Sequence, residues 1–212
     1  MVIKSFDTLA PSKRWLWMIV RHLVPRQSRW FYEGCLGIPG QLWYEDRRLL
    51  YGTVRAYRPE TVFEVGTWYG GGSTYFISSA LKDNGRGMLH TVESDRAVYA
   101  MALQSYSHQL SHLRAHVKLY VGTSTGIYPN VLKDVGRADM VFLDGGDDPR
   151  QTASEFNMFA RYMGRGSVLL MHDWDNEKMS VLRPLIERSA DWIPRAKIIP
   201  PRSVGFAVYE RL

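Results

Sequence analysis

A chain of 212 residues, 45% hydrophobic and 23% charged, has the composition of an ordinary soluble domain with one full-sized core. That excludes a disordered, collagen-like or coiled-coil chain, and the single cysteine, Cys35, excludes an internal disulfide or a cysteine-built zinc site, so a reducing, cytoplasmic setting is expected. The net charge of +6 comes entirely from residues 1–58, where ten Lys and Arg face four Asp and Glu; the rest of the chain carries seventeen of each.

In chain order, residues 1–58 read as a basic, aromatic-rich helical cap or lid, and residues 59–212 as the main domain. The apolar run from Trp15 to Val20 stops at Arg21, too short for a signal-peptide core of about 7–15 residues or a membrane span of about 20. It predicts a short helix ended by Pro25, with Arg14, Trp15, Trp17 and Arg21 available to pack on the main domain. Adhesion of this basic segment to a membrane surface is the alternative. Trp30, Phe31, Tyr32, Trp43 and Tyr44 flank Gly37-Ile38-Pro39-Gly40, where they either line a pocket for a flat molecule or simply pack.

From residue 61 apolar runs alternate with helical patterns. Thr61–Val65, Met88–Val92, Val117–Val121, Met140–Leu143 and Ser167–Met171 read as buried strands. Helices are expected over Ser73–Leu81, after an Asp95 cap through Leu103, near Asn130–Val135, along Phe156, Phe159, Ala160 and Met163, and over Met179–Arg188. The last two extended runs, Trp192–Ile199 and Val204–Tyr209, are joined by only Pro200-Pro201-Arg202-Ser203, so they must pair antiparallel. The prediction is a doubly wound α/β fold: a mostly parallel seven-stranded sheet closed by a C-terminal antiparallel hairpin, with an N-terminal helical extension.

In such sheets ligands bind beyond the carboxyl ends of the strands. After the first strand comes Gly66-Thr67-Trp68-Tyr69-Gly70-Gly71-Gly72-Ser73-Thr74, a loop able to turn sharply and present backbone amides. Glu93 ends the second strand, where a carboxylate can hold ribose hydroxyls. Asp144-Gly145-Gly146-Asp147-Asp148 follows the fourth strand and His172-Asp173-Trp174-Asp175-Asn176 the fifth.

Glu64-Val65-Gly66 through Ser73-Thr74 resembles motif I of class I S-adenosylmethionine-dependent methyltransferases, with Glu93 at that superfamily's ribose-binding acid. Phe142-Leu143-Asp144-Gly145 and Leu170-Met171-His172-Asp173-Trp174 resemble a subgroup of small methyltransferases with Asp-Gly-x-His and His-Asp signatures, related to catechol-type O-methyltransferases and cephalosporin hydroxylase-like proteins. The likeness spans residues 59–212; where the subgroup carries its first histidine this chain has Asp147. The resemblance implies that Glu64, Gly66, Thr67, Gly70 and Ser73 line the methionine and ribose part of S-adenosylmethionine, that Glu93 binds the ribose, and that Ser94 and Ser124 lie near the adenine, with Asp144 also at the cofactor. It makes Asp144, Asp173 and Asn176 candidates for holding Mg²⁺, with Asp147 and Asp175 as further oxygen donors nearby. Asp144, His172 and Asp173 are the candidate catalytic residues, His172 either as general base or as a residue that orients Asp173.

The expected activity is methyl transfer to an oxygen of a small molecule. A nicotinamide-dependent oxidoreductase is the alternative enzyme on this geometry, although Gly66-x-x-x-Gly70 lacks the Gly-x-Gly-x-x-Gly spacing for pyrophosphate. A non-catalytic cofactor-binding or membrane-docking module is the non-enzymatic reading. Nucleic acid is not an expected partner, because the domain bearing the site is neutral. A homodimer is expected only from the frequency of twofold oligomers.

Overall fold

The apolar runs after residue 60 become parallel strands β1 (Thr61–Val65), β2 (Met88–Glu93), β3 (Val117–Val121), β4 (Met140–Leu143) and β5 (Val168–His172). A hairpin of β6 (Trp192–Ile198) and β7 (Phe206–Arg211) follows, β7 pairing antiparallel with both β6 and β5. This is a computed structural model that describes residues 5, 6 and 9–212. The strand order is β3-β2-β1-β4-β5-β7-β6. The chain runs outward from β1 through β2 to β3, then returns to place β4 on the other side of β1. Connections therefore diverge above the β1–β4 pair, and the crevice they leave is where a ligand can enter.

The helices are α1 (Pro11–Val20), α2 (Arg26–Glu33), α3 (Tyr44–Tyr57), α4 (Ser73–Asn84), α5 (Arg96–Ser107), α6 (Ser124–Val135), α7 (Pro149–Ala160) and α8 (Leu182–Arg188). The Asp95 carboxylate caps α5 by accepting from the backbone N–H groups of Ala97 and Val98, at 2.7 and 3.0 Å. Helix α6 begins six residues before the expected start. The Thr123 hydroxyl accepts from Gly126 N–H at 3.2 Å and caps the helix there, and Pro129 is carried inside it, so residues that read as breakers are overridden. Helix α8 is shorter than expected because Glu177–Met179 forms a separate 3₁₀ turn. The N-terminal helix stops at Val20, and a 3₁₀ turn over Arg21–Leu23 leads to Pro25.

Alternation along β1 divides the core between the two faces of the sheet. Val62 joins Phe76, Leu81 and Phe142 on one face, and Phe63 joins Tyr128, Phe159 and Trp174 on the other. Helix α3 contributes Leu50 and Val54, both fully buried, to the first of these clusters. Helix α1 has no fully buried residue and leaves Trp15, Leu16 and Ile19 exposed, but its half-buried Trp17 packs on Tyr32 and donates to Glu33 at 2.9 Å. Among the described residues no helix is long and apolar enough to cross a membrane.

Candidate active site

A cleft of about 450 Å³ opens at the carboxyl ends of β1, β2, β4 and β5. Its walls include Gly66, Thr67, Trp68 and Ser73 from the first loop, Glu93 and Ser94 from the second, Ser124, and Asp144 and Asp173 from the loops after β4 and β5. Gly66 has φ +98°, and a Cβ there would lie 2.9 Å from the Asp144 carbonyl oxygen; only glycine lets β1 and β4 stay this close at the crevice. Trp68 and Asp173 also hold left-handed backbone, at φ 50° and 56°, each on the cleft wall. Such conformations in non-glycine residues cluster where a fold holds side chains for function.

The chain before residue 59 takes part as well. Gln41 and Leu42 line the cleft, brought there by residues 38–40, which pack against Gly71 and Gly72.

Glu93 uses both carboxylate oxygens on the backbone. Oε2 accepts from Trp68 N–H at 2.9 Å and Oε1 from Asp95 N–H at 3.0 Å, which ties the glycine loop to the end of β2. Glu64 is fully buried beneath the same loop. Its Oε2 accepts from the hydroxyls of Thr74 and Thr91, both at 2.6 Å, while Oε1 makes no hydrogen bond. Burial pushes the Glu64 pKa up to about 7, against the nearby hydroxyls, which favour the charged form. At the other end of the cleft the Ser124 hydroxyl donates to Glu155 at 2.5 Å, and Gln151 donates to the same oxygen at 3.0 Å.

Between β4 and β5 lies a compact charged centre. His172 Nδ1 is 3.0 Å from Asp144 Oδ1 and 3.4 Å from Asp173 Oδ2, and its Nε2 is 3.5 Å from Asp46 Oδ2. Burial alone would lower the His172 pKa, but the Asp144, Asp173 and Asp46 carboxylates outweigh it and hold the ring well above its usual value. Lys178, only 4% exposed, brings Nζ to 2.7 Å from Asp173 Oδ2, 3.4 Å from Asp144 Oδ1 and 3.3 Å from the Gly145 carbonyl oxygen. Burial opposes the charge on Asp173, yet His172 and Lys178 hold its pKa well below the carboxylate range; the same carboxylates raise Lys178.

Of the residues expected at a site, Gly66, Thr67, Ser73, Glu93, Ser94, Ser124, Asp144 and Asp173 share one cleft. Glu64 and Gly70 lie behind its wall, Gly70 pressed against Tyr106. His172 is buried behind the two aspartates, and Asn176 turns its amide to donate to Asp173 Oδ1 at 2.9 Å. Asp175 turns to Arg183, and Trp174 is wholly in the core. Sequence reasoning missed Gln41, Leu42, Asp46, Gln151 and Lys178. Asp46 carried a signal as an acid in the first turn of α3, where it accepts from Trp43 N–H; nothing in the sequence marked Lys178.

The sequence pattern of a family described as a methyltransferase domain matches residues 63–174, more than half of the chain. The chain belongs to this family. It is a class I S-adenosylmethionine-dependent methyltransferase, which decides against the nicotinamide alternative. Comparison of this methyltransferase with curated proteins gives no match. Among solved structures it is similar to the O-methyltransferase TomG from Streptomyces achromogenes, involved in tomaymycin synthesis and solved with S-adenosylmethionine, at 18% identity, 96% of this chain, 99% of that chain and a TM-score of 0.67. It is also similar to an O-methyltransferase from Bacillus cereus in complex with S-adenosylhomocysteine, at 15% identity, 97% of this chain, 94% of that one and a TM-score of 0.66. At these identities the likeness speaks for the fold.

Proposed function

We propose that this methyltransferase moves the methyl group of S-adenosylmethionine to a hydroxyl oxygen of a small molecule. The observation that carries this reading is the facing of Asp144 and Asp173 across one cleft from Glu93 and the glycine loop. A carboxylate beside the methyl donor suits an acceptor that must lose a proton. The two solved relatives, both O-methyltransferases, support the same choice of acceptor atom.

The residues in and behind the cleft wall support this reading of the cofactor site. The partnerless Oε1 of Glu64 is an acceptor suited to the ammonium of the methionine end, beside Gly66, Thr67 and Ser73. Glu93, already anchored by backbone N–H groups, has lone pairs left for ribose hydroxyls, and Ser94, Ser124 and Gln151 surround the far end for the base. When bound, S-adenosylmethionine supplies an electrophilic methyl whose S–C bond breaks as the new O–C bond forms, the electron pair returning to sulfur.

Asp144 takes the acceptor's proton at Oδ2, since Oδ1 is held by His172 and Lys178. His172 and Lys178 position the two carboxylates, and the cleft walls align the acceptor oxygen with the methyl group, the main source of rate in a direct displacement. Calorimetric titration with S-adenosylmethionine, followed by mass detection of methylated product from a panel of phenols, catechols and carboxylic acids, tests the reading. A methylated oxygen is the expected product. Saturable cofactor binding with methylation only of amines or thiols would overturn the oxygen assignment.

A further inference from the structure

The place where two strand-end carboxylates converge is where a divalent cation would sit in a catechol-type site. Asp144, His172 and Asp173 each bring a ligand atom within 4.8 Å of the others, so the donor set looks suitable at first sight. The geometry does not fit one. Mg²⁺ needs oxygens at about 2.0–2.1 Å in near-octahedral array. Lys178 Nζ instead lies among Asp173 Oδ2, Asp144 Oδ1 and the Gly145 carbonyl oxygen at 2.7, 3.4 and 3.3 Å. An ammonium has three protons, and three oxygens receive them. The side chain is 4% exposed, so it is built into the wall and does not wave over it. His172 Nδ1 approaches the same two oxygens, Asp144 Oδ1 at 3.0 Å and Asp173 Oδ2 at 3.4 Å, and the Asn176 amide holds Asp173 Oδ1.

We propose that Lys178 is a positioning residue that stands in place of a divalent cation, its ammonium being the fixed charge on which Asp144 and Asp173 converge, so that methyl transfer here is metal-independent. The inference rests on the methyl-transfer reading for its catalytic meaning, but the occupancy of the centre is independent of it. Lysine at this point does part of what a metal does: its single charge offsets one of the two carboxylates, and its contacts fix both carboxyl groups. It leaves Asp144 Oδ2, which neither His172 nor Lys178 holds, free to accept a proton.

The test uses full-length protein stripped of metals by chelation and dialysis. Mn²⁺ binding is followed by electron paramagnetic resonance and S-adenosylhomocysteine binding by calorimetry. Wild type is compared with Lys178→Met, which keeps the length of the stem, with Asp173→Asn, and with the double variant. Wild type is expected to leave millimolar Mn²⁺ free, and Lys178→Met to bind it about tenfold more tightly or better, a gain that the added Asp173→Asn removes. A lysine with only a packing role would create no such site.

Binding of Mn²⁺ by wild type, lost in Asp173→Asn, overturns the proposal, as does a folded Lys178→Met that still ignores Mn²⁺. Should Lys178→Met fail to fold, the wild-type titration against Asp173→Asn decides alone. Failure to bind S-adenosylhomocysteine would overturn the functional reading instead, leaving the Mn²⁺ result to decide the place of Lys178.

Discussion

Gly40 and Gly71 meet backbone to backbone: a Cβ on Gly40 would lie 2.6 Å from the Gly71 carbonyl oxygen, and one on Gly71 would collide with the Ile38 carbonyl oxygen. The contact presses the segment before α3 onto the glycine loop and so carries Gln41 and Leu42 to the cleft. Gly71→Ala cannot be absorbed by a flexible side chain, since the atoms in its way are backbone. It should cost about 1–3 kcal/mol and weaken S-adenosylhomocysteine binding, read by thermal melting and calorimetry. Gly52→Ala is the control. It sits inside α3 with nothing within 4 Å of the new Cβ, and should stabilise by roughly 1 kcal/mol. Equal effects of the two substitutions would remove the significance of the contact.

Glu93 joins the glycine loop to the end of β2 and is the acid proposed to hold ribose. Glu93→Ala removes a charged acceptor and strands the Trp68 N–H, so cofactor affinity should fall by about 10–100-fold. Glu93→Gln retains an oxygen for Trp68 and should fall less. Calorimetry on the folded variants would detect the order, and unchanged affinity in Glu93→Ala would remove the residue from the site.

Glu64 makes stability depend on pH. Its folded pKa of about 7 lies above the ordinary 4.5, so the native state holds the proton more tightly than the unfolded chain does. This contribution is complete below pH 4.5 and is lost as pH rises through 7, by up to about 3 kcal/mol. Denaturant unfolding of the cofactor-free protein between about pH 5 and 8 should show the fall, and Glu64→Gln should flatten it. A parallel slope in the variant would assign the effect elsewhere.

His172 is held charged by its aspartate neighbours. Because its folded pKa is raised above 6.5, its stabilisation is complete below pH 6.5 and disappears only as pH climbs through the raised value. Nitrogen-15 NMR at about pH 7.5 should find both ring nitrogens in the imidazolium range. A neutral ring at that pH would return His172 to consideration as a base.

Much of the frame was legible because buried parallel strands are near-continuous apolar runs, unbroken in Met140-Val141-Phe142-Leu143 and interrupted only by Glu64 in Val62-Phe63-Glu64-Val65. The acids and glycines at the strand ends were legible for a related reason. In a doubly wound sheet, position along the chain predicts which loops meet at the crevice. The start of α6 was hidden because Gly126 and Pro129 weigh against helix locally, whereas the Thr123 cap and the buried Tyr128 and Leu132 outweigh them. Asp46 was hidden by distance, since α3 reaches His172 only once the segment around Gly40 is laid across the glycine loop.

The sequence by itself determined the sheet, its terminal hairpin and the candidate carboxylates, because these follow from periodicity and from residue type at strand ends, and its resemblance to methyltransferase motifs pointed to the family. Only the tertiary structure decided what stands between Asp144 and Asp173. In sequence Lys178 is one cation beside Asp175, Asn176 and Glu177, indistinguishable from a solvated surface lysine. Folding buries its stem and aims its ammonium at three oxygens drawn from the loops after β4 and β5. A charge becomes a built part of a site only when its neighbours exclude water from it, and that exclusion is a property of the packed loops together.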